Sequence, residues 1–302
     1  IYTLDNNPEK WPQDSNTIDD YTVYTSLQSS DGGIILGTIS EGVVLLNSEG
    51  VVQNQITQQE SLYNNTVLSV FEDDDANIWL GLDNGINCIN VNSPVTVFND
   101  VNGILGSVYA SLVHNGNLFL GTNQGLFYRP LEDSSASFKF VEGSKGQVWT
   151  LKEIDGFLLC GHNNGSFIFS ENKFMQISEV LGTWCFKKIP GRPDLLLQGN
   201  YNGLSVLQKS DEGWTFRNRL TNFDVSSKFV EFISPHKILI DHEYKGVYNV
   251  TLDKNFFNVV DVYQHEGLNK GLYSSLVKFK DSVYYAQQEG VWKFDSTADS
   301  FL

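Results

Sequence analysis

The chain has 302 residues, 41% of them hydrophobic and 13% aromatic, so it can bury a sizeable core. Its formal net charge of −16 argues against nucleic acid or an anionic lipid surface as a partner. The charge fits neutral or cationic ligands, but the preferred interpretation is an ordinary solvated surface. No run of about 18 apolar residues occurs, so the sequence contains no candidate transmembrane helix.

The N-terminus is a short apolar segment, residues 1–4, followed by a loop at residues 5–20 that contains Pro8 and Pro12. It lacks a starting methionine and a signal peptide. We therefore expect the chain to be a fragment of a longer protein.

Beyond this loop one pattern recurs, and residues 66–90 show it most clearly. Two short apolar runs, residues 67–71 and 78–80, are separated by an acidic turn. A Gly-x-x-x-Gly sequence, here called the glycine step, follows at Gly81 to Gly85, and a third apolar run comes after it. Short runs rich in Val, Ile, Phe and Trp, bounded by Asp, Asn and Gly, predict β-strands joined by tight turns.

The glycine step occurs seven times, with a spacing of 38 to 44 residues. Its second position is Gly42, Gly85, Gly125, Gly165, Gly203, Gly246 and Gly290. Its first position is Gly37, Gly81, Gly121, Gly161 and Gly199, then Asp241 and Ala286. A period of about 40 to 45 residues with four strands is typical of one β-propeller blade. The sequence therefore predicts an all-β fold: one seven-bladed β-propeller over residues 1–302, with four-stranded antiparallel blades.

The last repeat, from residue 272 onward, contains three apolar runs and then stops at Leu302, so we expect it to lack a full fourth strand. An open strand edge invites pairing with other chains. We therefore expect residues 1–4 to form the outer strand of the seventh blade and to close the ring. The alternative is that residues 1–4 belong to a preceding blade that is absent.

In a propeller, the loops joining second to third strands share a face with the loops joining one blade to the next. Here these loops carry amides, imidazoles and carboxylates together with Tyr and Trp. Carbohydrate recognition uses such groups, because sugars offer hydroxyls to polar groups and C–H faces to aromatic rings. The candidate ligand-binding residues are Asn123, His162, Asn163, Trp184, Tyr201, Asn202, His242, Glu243 and Tyr244. The alternative at each position is plain turn chemistry, which also favours Asn, Asp and Gly.

Motifs for other chemistries are missing from the sequence. It has no nucleophile elbow, zinc-protease helix, P-loop or dinucleotide fingerprint. The acidic run at residues 72–75 lacks the ligand pattern of a calcium loop and is expected to be a solvated turn. Cys88, Cys160 and Cys185 lie in apolar runs without zinc-ligand spacing and are expected to be small buried residues. We expect no cofactor and no metal.

Two catalytic alternatives stay open. A pair of carboxylates for glycoside hydrolysis is assembled in space and leaves no local motif. His162 and His242 occupy corresponding loops two blades apart, so an acid/base pair of a polysaccharide lyase is the other alternative.

The second and third repeats resemble the two-component regulator propeller repeat. Asn65-Thr66-Val67, the acidic turn, Trp79 and the step that begins at Gly81 match the family pattern. Residues 121–126 match its Gly-Thr-x-x-Gly-Leu sequence, as do Gly37-Thr38, and residues 266–269 resemble the loop that often precedes an inner strand. The fourth to seventh repeats lack the Trp, and the last two lack the first glycine.

This resemblance implies a signalling function without catalysis by this domain. Such propellers are extracytoplasmic, periplasmic sensor regions of membrane-bound histidine kinases and hybrid two-component receptors. Many respond to oligosaccharides, work as dimers and act together with the remaining domains of the same receptor. The family motif is structural and identifies no ligand-binding residue. The alternatives are a secreted propeller enzyme, either a glycoside hydrolase or a polysaccharide lyase, and a protein-interaction platform.

Overall fold

A computed structural model describes residues 21–95, 97–100, 103–133, 136–211, 213–268, 271 and 273–302. In this part of the chain, strands account for the regular structure apart from one 3-10 helix at Gln58–Glu60. The chain divides into two compact units, Ile1–Ile104 and Leu105–Leu302. We describe each unit by itself.

The first unit contains two antiparallel sheets. Blade 1 has four strands in the order β1-β2-β3-β4, and the described part of blade 2 has three in the order β5-β6-β7. In chain order these strands are β1 Val23–Gln28, β2 Ile34–Thr38, β3 Val43–Leu46, β4 Val52–Ile56, β5 Val67–Glu72, β6 Asn77–Leu82 and β7 Ile86–Asn90. One core, which includes Val43, Val67 and Leu80, spans both sheets.

The second unit contains five sheets of four strands each, blades 3 to 7. Blade 3 is β8 Val108–His114, β9 Asn117–Thr122, β10 Leu126–Pro130 and β11 Lys139–Phe140. Blade 4 is β12 Val148–Ile154, β13 Phe157–His162, β14 Gly165–Ser170 and β15 Lys173–Ser178. Blade 5 is β16 Cys185–Ile189, β17 Arg192–Asn200, β18 Gly203–Ser210 and β19 Gly213–Arg219. Blade 6 is β20 Phe229–Ser234, β21 Lys237–His242, β22 Gly246–Leu252 and β23 Val259–Gln264. Blade 7 is β24 Ser275–Phe279, β25 Ser282–Gln287, β26 Gly290–Asp295 and β27 Ser300–Phe301.

Every sheet is an antiparallel meander whose spatial order follows the chain. Seven such sheets, one for each predicted repeat, confirm the prediction of an all-β, seven-bladed β-propeller. The predicted closure of the ring by residues 1–4 lies outside the described residues. It stays a prediction.

The last repeat, for which the sequence predicts no full fourth strand, ends in a fourth strand of two residues. This strand, β27, pairs with the end of β26 at Phe294 and Asp295, and Leu302 extends the pairing with two main-chain hydrogen bonds to Lys293, each 2.9 Å long. The chain reverses in a tight turn because Asp295 Oδ1 accepts the main-chain N–H groups of Thr297 and Ala298. A turn this short leaves enough residues before the chain end for a two-residue strand.

The apolar runs are continuous rather than alternating because the central strands are buried on both faces. In β17, Leu195 and Leu197 join a core shared with blade 6, whereas Leu196 between them joins a core shared with blade 4. All three side chains are at most 1% exposed. Blade 5 therefore contributes to two cores, one with each neighbour, and blades 4 and 6 do the same.

In blades 1, 3, 4 and 5 the first glycine of the step lies against the next blade. A Cβ atom on Gly199 would lie 1.9 Å from the main-chain oxygen of Ser227, just before the first strand of blade 6. A Cβ on Gly161 would lie 2.4 Å from the oxygen of Thr183, before the first strand of blade 5. A side chain does not fit in either place, so the packing of one blade on the next requires glycine here.

This close approach predicts the effect of adding one methyl group. Gly199→Ala should lower the free energy of unfolding by at least about 2 kcal/mol, because the main chain of blade 6 has to move away. Gly290→Ala is the matched control, because its Cβ would meet its nearest atom at 3.4 Å, an ordinary contact distance. Urea unfolding of both variants measures the difference. Equal losses in the two variants would contradict the assignment of the close approach to Gly199.

Candidate functional site

The first strands of blades 3 to 7 line a pocket within the second unit. These strands, β8, β12, β16, β20 and β24, contact one another in succession. The pocket has a volume of about 530 Å³. Its lining residues are Tyr109, Trp149, Trp184, Cys185, Lys187, Lys228, Phe229, Val230 and Leu276.

Four of these residues occupy equivalent positions in successive blades. In blades 3 to 6, the first position of the glycine step pairs in register with Ala110, Thr150, Cys185 and Phe229, respectively. The residue immediately before each of these is Tyr109, Trp149, Trp184 and Lys228. We call these four the inner-edge residues.

Backbone geometry turns the inner-edge residues out of the sheets. The register of β8 shifts between Val108 and Ala110, and that of β12 shifts between Val148 and Thr150, so Tyr109 and Trp149 are bulged. Trp184 and Lys228 immediately precede β16 and β20. A bulge frees the side chain from the alternation of the strand and redirects it. The inner-edge side chains can therefore line one pocket rather than enter the cores between blades.

Three of the aromatic rings form a continuous surface. The ring centroid of Trp149 lies 4.8 Å from that of Tyr109 and 4.7 Å from that of Trp184. Trp149 Nε1 donates to the hydroxyl of Tyr201 at 2.8 Å, and Trp184 Nε1 donates to Ser226 Oγ at 3.1 Å. Both indole N–H groups are thus satisfied by the protein, which holds the two rings in place.

The pocket also contains two ammonium groups. Lys187 Nζ lies 2.6 Å from Glu231 Oε1, and Lys228 forms an ion pair with Glu243. Lys228 Nζ also lies 5.6 Å from the centroid of Trp184 and 5.3 Å from that of Phe229, within the range of cation–π attraction. The side chains of Lys187 and Lys228 are 27% and 37% exposed, respectively, so solvent reaches both.

Three of the residues predicted from sequence meet at this pocket. Trp184 lines it, Tyr201 accepts the hydrogen bond of Trp149, and Glu243 pairs with Lys228. The Tyr201 ring lies against Gly182, where a Cβ would be 2.0 Å from the ring, and burial raises the pKa of its hydroxyl. Tyr201 thus supports the aromatic surface from behind.

Three asparagines that the sequence predicts as ligand-binding residues do not line this pocket. Asn123 Oδ1 accepts from the N–H of Ser107 at 2.8 Å, and Asn163 Oδ1 accepts from the N–H of Gln147 at 2.9 Å. Each therefore fixes the loop that enters the first strand of its own blade. Asn202 lies outside the aromatic pocket and lines a second cleft of about 550 Å³, where its main-chain oxygen accepts from Arg219.

The two predicted histidines have separate neighbours, and neither lines the pocket. His162 is 1% exposed, with Nδ1 accepting the N–H of Asn164 and Nε2 3.3 Å from the oxygen of Ser144. Burial lowers its pKa. His242 Nδ1 accepts the N–H of Tyr244, whose side chain is 66% exposed, and burial followed by the charge of Lys245 lowers the pKa of His242. We therefore leave both histidines out of the proposed site.

Sequence reasoning missed most of the pocket, in particular Tyr109, Trp149, Lys187, Lys228 and Phe229. They lie at or near the starts of first strands, whereas the residues predicted from the sequence lie in or near turn loops. The available signal was a large side chain just before the residue that pairs with each glycine step. Turn lengths differ between blades. The residue that pairs with the glycine step therefore cannot be located without the register of the strands.

Asp241 takes the place of the first glycine in blade 6, directly beside the pocket residue Phe229. Its side chain is fully buried, and Oδ2 accepts the hydroxyl of Ser274 at 2.9 Å. Oδ1 has no hydrogen-bond partner among the described residues. Burial raises the pKa of Asp241 to about 6, because the charged carboxylate loses hydration.

Two further observations concern metals and membranes. In the described ranges, no group of three or more His, Cys, Asp or Glu side chains is placed to hold a metal ion. Within the same residues, no helix is both long and apolar enough to cross a membrane.

Comparison with known proteins identifies similar folds. No protein-family profile and no curated protein sequence matches the chain. The extracellular domain of BT3049 of B. thetaiotaomicron, described as a hybrid two-component system, is 18% identical, with a TM-score of 0.63 over 93% of this chain and 40% of that one. The extracellular domain of BT4673 of the same organism, described as a one-component system, is 17% identical, with a TM-score of 0.52 over 93% and 43%.

The WD40 propeller domain of Doa1 is 10% identical, with a TM-score of 0.50 over 93% of this chain and 81% of that one. At these identities the similarity establishes the β-propeller fold. The chain spans less than half of the two B. thetaiotaomicron domains. The structures that share its fold thus include extracellular domains of the kind of system that the repeat pattern resembles.

The raised pKa of Asp241 predicts that the stability of the protein depends on pH. Its pKa is about 6 in the folded protein against 3.8 for an ordinary Asp, so the folded state binds the proton more tightly. The corresponding stability is fully present below pH 3.8 and is lost as the pH rises to about 6. Relative to Asp241→Asn, the parent should lose about 2 kcal/mol of unfolding free energy between pH 4 and 7.

Chemical unfolding at several pH values measures this difference. Asp261→Asn removes the same charge from an exposed site and controls for the change in net charge. A constant difference between the parent and Asp241→Asn from pH 4 to 7 would contradict the raised pKa.

Proposed function

We propose that this propeller is the extracytoplasmic ligand-sensing domain of a two-component signalling receptor, and that it binds an oligosaccharide in the aromatic pocket without transforming it. The observation that carries this proposal is the convergence of the inner-edge residues of four blades on one pocket. Three of them are aromatic, and one strand alone would not place them together.

The pocket contains two kinds of group that bind sugars, aromatic rings and hydrogen-bond donors. The rings of Tyr109, Trp149 and Trp184 present apolar faces to the C–H face of a pyranose. Lys187 and Lys228 supply N–H donors at the edge for ring or hydroxyl oxygens. Because both indole N–H groups are already bonded within the protein, the rings do not have to reorganise when a sugar stacks on them, which lowers the entropic cost of binding.

Two observations support a sensor rather than an enzyme. The repeats resemble those of receptor sensor domains, and solved structures with this fold include extracellular domains described as two-component and one-component systems. Hydrolysis of a glycosidic bond uses a pair of carboxylic acids that flank it, whereas both charged residues in the pocket lining are lysines. We therefore propose binding without turnover.

The same proposal includes three further statements about the receptor. This domain lies in the periplasm, the receptor is a homodimer, and further domains of the receptor lead to a histidine kinase output. A ligand that touches several blades at once favours the arrangement of blades that it fits best, and so shifts the population of receptor states. The free energy available for signalling is the difference in the ligand's affinity for the two states.

Removing one ring should weaken binding. Trp184→Ala should raise the Kd for the bound oligosaccharide at least about tenfold, which is about 1.4 kcal/mol of lost stacking. Calorimetric titration of the 302-residue protein with a panel of neutral and acidic oligosaccharides measures the Kd. Thermal unfolding shows whether the variant is folded.

Tyr244→Ala is the matched control, because it removes an exposed aromatic ring outside the pocket. It should bind with the affinity of the parent. No binding by the parent to any member of the panel would contradict the carbohydrate proposal. Equal affinity in Trp184→Ala and the parent would contradict this site.

A further inference from the structure

The charged residues that line the aromatic pocket all have the same sign. Lys187 comes from blade 5 and Lys228 from the entry to blade 6. Their carboxylate partners, Glu231 and Glu243, are not among the lining residues. A molecule in the pocket therefore meets two ammonium groups, each of which is paired with one carboxylate.

The position of Lys228 is informative. It occupies the inner-edge position that holds Tyr109, Trp149 and Trp184 in the three preceding blades. A cation thus takes the fourth place in a series that is otherwise aromatic. Its Nζ lies within cation–π range of both Trp184 and Phe229, which places the ammonium beside the ring on which a sugar would stack.

We propose that the pocket selects a negatively charged saccharide, with the sugar ring stacked on Trp149 and Trp184 and its anionic group on Lys228 and Lys187. This inference rests on the proposed function and narrows its class of ligand. The anionic group is a carboxylate, as in a uronic acid, or a sulfate ester. An ammonium binds both by the same charge-assisted hydrogen bonds.

The existing ion pairs leave donors for such a ligand. Each ammonium carries three N–H donors. The described structure shows one of them on Glu231 for Lys187 and one on Glu243 for Lys228. An incoming carboxylate or sulfate can therefore add to each lysine without first displacing its partner.

The overall charge of the chain does not oppose this selection at short range. The net charge of −16 is spread over 302 residues. Charges beyond about 8 Å are largely screened at physiological ionic strength, whereas the two lysines touch the pocket directly. The groups that contact the ligand therefore decide the preference. Glu231 and Glu243 balance the charge of Lys187 and Lys228, so an anion is favoured by the N–H donors that these lysines still offer.

The test compares matched ligands on the full 302-residue protein. The first is a trimer of galacturonic acid, the second is its carboxyl-reduced counterpart, and the third is that neutral trimer carrying sulfate esters. At least one anionic trimer should bind at least about tenfold more tightly than the neutral one, and added salt should reduce this ratio. Comparison of the two anionic trimers identifies which group the lysines recognise.

Variants of the lysines and their partners should act in opposite directions. Lys228→Gln should weaken the anionic trimer at least about tenfold and leave the neutral trimer nearly unchanged, and Lys228→Arg should recover most of the loss. Glu243→Gln removes the competing carboxylate and should strengthen the anionic trimer. If the ion pair were only structural, Lys228→Gln and Glu243→Gln would change the affinity for the anionic trimer in the same direction.

The outcomes separate this inference from the proposed function. If the neutral trimer binds as tightly as both anionic ones, or if Lys228→Gln weakens all three ligands equally, charge selection is wrong and oligosaccharide binding stands. If the folded parent binds no oligosaccharide, charged or neutral, the proposed function and this inference both fail.

Discussion

The packing of blades 4 and 5 on the blade that follows each of them depends on one steric constraint, the close approach of the main chain at the first position of the glycine step. At Gly199 the main chain of the following blade comes so near that a single methyl group would overlap it. The approach fixes where the next first strand begins. Because the pocket is lined by first strands and by the residues that precede them, its shape follows from the same constraint.

The inner-edge residue, which immediately precedes the partner of the step position, is free to vary. The position that packs the blades is therefore different from the position that can contact a ligand. The first position of the glycine step requires a small residue, whereas the side chain at the inner-edge position only has to point out of the sheet. In blades 3 to 6 the latter holds a tyrosine, two tryptophans and a lysine. Blade 6 departs from the rule, since Asp241 replaces the glycine and its carboxyl is buried beside the pocket residue Phe229. A charge that costs stability above pH 6 thus lies next to the proposed site.

The fold could be predicted because its signals are local and repeated. Seven steps and their flanking apolar runs determine the number of blades and the order of strands, and the consecutive leucines of β17 show burial on both faces. The end of the chain could not be predicted in this way. Two residues, Ser300 and Phe301, suffice for an outer strand once Asp295 has closed the turn, and so short a run has no sequence signature.

The site was predictable only in part. Trp184, Tyr201 and Glu243 lie at the pocket and could be named because they are near turn loops, but a polar residue in such a loop does not have to face a ligand. Asn123 and Asn163 bind main-chain groups, and His162 is buried. Trp149 and Lys228 were missed because their place is set by register. Trp149 lies 12 residues before its step glycine and Trp184 lies 15 residues before its own, so no fixed spacing identifies them.

The most direct test of oligosaccharide binding at the inner-edge residues is a nuclear magnetic resonance titration of the indole N–H groups in the 302-residue protein. On addition of the oligosaccharide, the resonances of Trp149 and Trp184 should shift saturably. Those of Trp79, Trp214 and Trp292, which do not line the pocket, should stay in place. Saturable shifts confined to Trp79, Trp214 or Trp292, or no shift at Trp149 and Trp184 with a ligand that binds, would contradict the account.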